Sequence, residues 1–207
     1  MAGISINPAL VSNAPGTFVV SSDGYVAGTA LDAPANRNRL VSGINLSATP
    51  MYGGIAITAN LTTGIVEGAN PGSGYAPQLG PTLAFATAVA NITGWTVFDQ
   101  SLATYSSPQS PVPLASQYGA INYYETGSGA RIVVPVSAAD AATFQAGAVN
   151  QACYWNYSTQ FLAASGTGAL SVKIVDIQIG NSMVPSYNSG TGFATWSYTG
   201  SVAVIEI

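Results

Sequence analysis

The chain has 207 residues but only four basic and eight acidic side chains, a net charge of −4, no histidine and one cysteine. Soluble domains average about 25% charged residues against 6% here, yet 48% of this chain is apolar and 10% aromatic, which excludes a disordered polymer and predicts a packed core under a surface of uncharged polar residues, partly covered by partner chains. With clustered cations missing, no nucleic-acid partner is expected; with histidine absent, Ser-His-Asp, Cys-His and imidazole-metal chemistry are excluded, and Cys153 alone can form no internal disulfide.

From the N-terminus onward, Gly, Ser, Thr, Asn or Pro breaks every apolar stretch short of the about 18 residues a spanning helix needs, so no membrane partner is expected despite a mean hydropathy of +0.33. The opening MAGISINPALVSNAPG lacks the positive and apolar regions of a secretory signal and predicts synthesis without export. Period-two alternation with frequent turns then dominates, the pattern of an all-β protein. Asp23-Gly24 predicts a tight hairpin between Phe18–Val20 and Tyr25–Val26. Gly54–Thr58 alternates and is expected to pair back with Ile65–Glu67 through a turn at 60–64. Residues 68–81, GANPGSGYAPQLGP, read as a long surface loop. Leu83–Ala90 alternates large residues with alanine, predicting a strand, with a helix as the competing reading. Trp95–Phe98 continues the β pattern. Pro108, Pro111 and Pro113 interrupt it and mark a boundary.

The second half opens with Ala120–Tyr124 and Arg131–Val136 around Thr126-Gly127-Ser128-Gly129, which predicts a hairpin. Ser137–Phe144 is the convincing helical stretch: Ser137 can cap the free amides, Asp140 sits at the favourable end, and Gly147 ends it. Cys153, Trp155 and Tyr157 share a parity, which puts the thiol on an apolar face as a buried, inert group. Residues 171–179 slip out of period two at Ile174-Val175, and 202–207 at Val204-Ile205. Bulges, or strands crossing between sheets, would do this. Ser-Gly-Thr-Gly at 165–168 and again at 189–192 reads as two turns rather than a repeat.

These elements predict a mainly β fold, jelly-roll or barrel-like, with one short helix. Residues 1–105 are expected to form an N-terminal β module with an extended arm, 106–114 a Pro-rich linker, and 115–207 a C-terminal β-barrel-like module. No catalytic residue, cofactor or metal site is expected. The eight acids are scattered; Asp176 and Glu206 lie in apolar strands and are the pair a two-carboxylate glycosidase would use, but rim or barrel-mouth positions, or partnership with Lys173 and Arg131, is the favoured explanation. Arg37-Asn38-Arg39, the one basic cluster, is either a solvated loop or an anchor onto an acidic neighbour. Tyr52, Tyr75, Tyr105 and Trp196 are either interface anchors or sheet aromatics. With Met51 beside Tyr52, the contact candidates are Arg37, Arg39, Met51, Tyr52 and Tyr75.

Several segments carry a resemblance: MAGISINPALV at 1–11, Asp23–Pro34 leading to Arg37, Pro50–Ile57, Gly94–Gln100, Ser107–Leu114, Gly180–Met183 and Thr191–Trp196. Together they resemble the structural cement or head-decoration proteins of tailed bacteriophages. The resemblance implies a virion structural protein, made in the host cytoplasm, that binds the outside of the major capsid protein shell and stabilises it. It brings no catalytic residues. Self-association is expected, as a trimer before a dimer, because low-charge β domains expose edges that a closed ring can pair. A receptor- or glycan-binding spike domain is the alternative, with a carboxylate glycosidase behind it.

Overall fold

A computed structural model describes residues 24–31, 40–60, 81–98, 105–107, 110–148 and 150–207. The fold is mainly β. Five strands, β1 (Leu40–Asn45), β2 (Ala56–Asn60), β3 (Thr82–Phe85), β4 (Gly94–Val97) and β7 (Ala120–Glu125), close into a barrel in the order β1-β3-β2-β4-β7. A second sheet has the order β11-β12-β8-β10-β9, from β8 (Arg131–Val136), β9 (Tyr154–Asn156), β10 (Phe161–Ala163), β11 (Lys173–Asn188) and β12 (Phe193–Glu206). Strands β5 (Tyr105–Ser107) and β6 (Ser110–Leu114) pair with each other. The one α-helix among the described residues is α1 (Ala138–Ala146), and a single 3-10 turn covers Val89–Asn91. No helix among the described residues is long and apolar enough to cross a membrane.

Alternation sorts the barrel strands. Ile57, Leu83, Ile121 and Tyr123 share the buried cluster inside it, while Ala56, Trp95, Val97 and Tyr124 belong to the cluster that joins its outer wall to the second sheet. There the rings of Trp95 and Trp155 meet edge to face, centroids 4.7 Å apart at 87°, the geometry that the ring quadrupoles favour. In β8 and the end of β12 alternation fails because both faces are covered. Ile132, Val134, Ala203 and Ile205 face the barrel-side cluster, and Val133, Val202 and Val204 pack with Ala27 on the other. The period-two slip at Val204-Ile205 is therefore two-sided burial: the register of β12 against β8 runs unbroken from Ser201 to Glu206. At Ile174-Val175 the slip is a real bulge, since Ile174 pairs with Ile205 and Asp176 with Val204, leaving Val175 extra.

The segment 24–31 ties the parts together. Ala27 N donates to Met183 O of β11 (2.8 Å), Gly28 N to Val133 O of β8 (2.7 Å), and Phe98 N donates back to Gly28 O (2.7 Å). Gly28 has φ +89, and a Cβ there would lie 2.6 Å from the backbone of Gly53, so this crossing requires glycine on both conformational and steric grounds.

Three expectations change. β7 and β8 do not pair; β7 lies between β1 and β4, and β8 between β12 and β10. Both edges of β7 are used by the barrel, so the 126–129 turn carries the chain across to the second sheet. β2 pairs with β3 and β4, whereas Ile65–Glu67 and the hairpin turn at Asp23 lie outside the described residues. The alternating stretch from Leu83 divides into the short strand β3 and the 3-10 turn. The sheets also do not divide at 106–114. β7 completes the barrel from beyond the prolines, Pro111 and Pro113 lie within β6, and the closed barrel belongs mostly to the first half while the C-terminal strands form an open sheet. Such pairings depend on long-range hydrogen bonds, which a proline cluster does not reveal.

Candidate functional site

Of the five contact candidates, Arg37, Arg39 and Tyr75 lie outside the described residues. Met51 and Tyr52 are in the core: Met51 is fully buried and bridges Ala115 through reciprocal backbone hydrogen bonds of 3.0 and 2.8 Å, and Tyr52 is 8% exposed. Met51 cannot touch another chain in this fold, and Tyr52 can do so only by its rim. The cause is the return of the chain at 112–115, which packs Val112 and Ala115 into the same cluster. Trp196 is likewise buried, against Phe98 at 5.7 Å. The side chain of Tyr105 lies outside what is described.

The exposed apolar groups are elsewhere. β11 is the outermost strand of its sheet and, with β12, forms a long hairpin. Along it Val175 (46%), Ile179 (42%), Phe193 (41%) and Tyr198 (47%) reach solvent. The outer edge of β11 is touched at Met183 by Val26 and at the Ile177 carbonyl by Gln145 Nε2 (3.4 Å). Its bulge at Val175 and a second irregularity at 178–184, where Gly180 and Asn181 have φ of 67 and 53, bend it as edge strands are bent against uncontrolled pairing. The slip at Ile174-Val175 announced the bulge. Nothing local announced that this strand lies at the rim, so these side chains were not singled out from the sequence.

The two watched acids are engaged separately. Glu206 Oε2 accepts from Arg131 Nε at 3.2 Å, and Asp176 Oδ2 accepts from the Tyr25 hydroxyl at 2.9 Å, which with burial and the carboxylate charge pushes the tyrosine up from 10.0. Asp176 lines a shallow cavity of about 390 Å³ beside α1 that Glu206 does not line. Among the described residues no three His, Cys, Asp or Glu side chains gather as metal ligands would. Cys153 is 1% exposed, and burial pushes its thiol up to about 11.

The larger cavity, about 610 Å³, opens where three regions converge: Thr49–Tyr52 with Phe85 of the barrel, the β9–β10 loop beside the start of α1, and Pro185–Tyr187 of β11. Tyr52, Phe85, Phe161 and Tyr187 give it aromatic walls; among the described residues Asp140 is the charged side chain that lines it. That carboxylate is taken up inside the protein. Oδ2 accepts from Ser137 Oγ (2.6 Å) and Oδ1 from Ala164 N (3.0 Å). No protein-family model, curated protein or solved structure matches this chain.

Proposed function

We propose that this chain is a virion structural protein of a tailed bacteriophage that binds the outside of the major capsid shell and stabilises it. The observation that carries the reading is the β11–β12 hairpin, whose rim strand of 16 residues presents Val175 and Ile179 to solvent, with Lys173 and Asp176 the charged side chains along that strand. Two of the seven segments that resemble head-decoration proteins, Gly180–Met183 and Thr191–Trp196, fall in this hairpin. A protein that seals seams between capsomers works by contact area multiplied over many copies, so modest individual contacts suffice for firm attachment. A chain with only 6% charged residues suits such contacts, because little ionic desolvation opposes them. Self-association, as a trimer before a dimer, completes the reading. No cofactor, nucleic acid or membrane enters it.

The test is copy number per purified particle against the major capsid protein, with heat resistance of particles made with and without this chain. A ratio near one to one or one to three, and leakage of the depleted shell on mild heating or on dilution of salt, is the expected result. A handful of copies would move the chain to a vertex or tail, and equal heat resistance would remove the stabilising role.

A further inference from the structure

We propose that the aromatic-walled groove between the barrel and the β9–β10 loop is a binding subsite for a neutral oligosaccharide, a property separate from shell attachment through the β11–β12 hairpin. Its volume, about 610 Å³, falls in the range of roughly 300–1,000 Å³ typical of small-molecule clefts. Its chemistry narrows the class. Among the described residues no Lys or Arg lines it, and the carboxylate that does already holds two internal hydrogen bonds, so these residues offer neither a phosphate nor another anion a cationic partner. What remains is the aromatic side chains of Phe85, Phe161 and Tyr187 beside uncharged donors and acceptors. A sugar ring matches that pairing, since its C–H face lies flat on an aromatic ring while its hydroxyls require partners at the edge.

The polar groups are placed for this. Asn156 Oδ1 accepts from Ser158 N (3.0 Å), Ser158 Oγ (2.7 Å) and Thr159 N (3.1 Å), which fixes the loop and leaves the carboxamide nitrogen as a donor. Gln160, in the left-handed region at φ 59, is pinned by Trp155 Nε1 donating to its Oε1 (3.1 Å) and by its own Nε2 donating to Tyr157 O (2.7 Å). Strain of that kind, held by surrounding bonds, preorganises a loop. No hydrogen bond within the described residues engages Asn156 Nδ2, Thr159 Oγ1, Ser186 Oγ or the Tyr187 hydroxyl. A peptide strand fits less well. β10 is already paired with β8 and β9, and Pro185 removes a backbone donor from the stretch of β11 at the groove.

The test is saturation-transfer NMR of the full chain with three neutral probes, triacetylchitotriose, cellotriose and maltotriose, with sialyllactose as the anionic probe. Saturable binding of at least one neutral trisaccharide at millimolar concentration, and none of sialyllactose, is expected. Tyr187→Ala should weaken it about tenfold. Thr159→Val, at an exposed position where folding is not at stake, should weaken it about threefold. No response to any neutral probe, or binding unchanged in both variants, overturns the proposal. So does a groove that ignores all three sugars but takes up N-acetyltyrosine amide, a stand-in for a peptide partner. Particle copy number is read independently, so failure of the groove and failure of the shell role are distinguishable.

Discussion

A missing side chain at position 94 decides how the barrel closes. A Cβ on Gly94 would lie 2.6 Å from Tyr123 Cδ2 and 2.6 Å from the Tyr124 carbonyl, and Tyr123 is 2% exposed inside the barrel. Gly94→Ala should therefore destabilise by about 1–3 kcal/mol through overpacking, read as a lower urea midpoint at unchanged slope. Cys153 sets a pH effect. Burial raises its thiol from 9.0 to about 11, so the folded state keeps the proton longer than the unfolded chain does. That contribution is present below pH 9.0 and is lost as pH rises toward about 11. Wild type should lose stability over this window more steeply than Cys153→Ala, while burial of Tyr52 and Tyr123 acts equally in both. Parallel unfolding curves for the two proteins across the window would refute the assignment. The inert thiol was legible because Cys153 shares parity with Trp155, a local signal. The burial of Met51 was not, since its cover, Ala115, comes from a distant part of the chain.

The same division between local and remote causes runs through the elements. Helix α1 begins where the sequence says it should. Ser137 Oγ accepts from Asp140 N at 3.1 Å, its hydroxyl donates to Asp140 Oδ2, and Gly147 follows the last turn. Ser137→Ala should cost about 1 kcal/mol, within the roughly 0.5–2 range for lost caps, measured by urea unfolding; no loss would mean that Asp140 and packing of Phe144 hold the helix start unaided. The bulge at Val175 was legible for a similar reason, because a one-residue slip in period two has few other causes. Strand partners were not. Ala120–Tyr124 and Arg131–Val136 satisfy every local rule for a hairpin, yet each is claimed by strands far away in sequence, β1 for the first and β12 for the second. The groove was illegible on the same ground: it draws on residues from 49 to 187, and no single segment carries its aromatic and amide lining.

At the scale of the molecule, scarcity of charge becomes a prediction about attachment. On the proposed reading, few ions mean that the shell would hold this chain by apolar area and neutral hydrogen bonds, which salt screens little. Val175 and Ile179 are exposed on the rim strand, and replacing both with lysine leaves the core untouched. If the hairpin seats on the shell, Val175→Lys with Ile179→Lys should bury two ammonium groups without partners and lower particle occupancy at least about tenfold. Leu46→Lys, equally exposed at 44% but just beyond β1 on the barrel, should leave occupancy unchanged. Sedimentation of particles with each variant, at low and high salt, reads both expectations together. Loss with Leu46→Lys and retention with the rim variant would turn the molecule over on the shell, barrel inward. Attachment of wild type that collapses as salt rises would show that the scattered charges, and not the apolar rim, hold it in place.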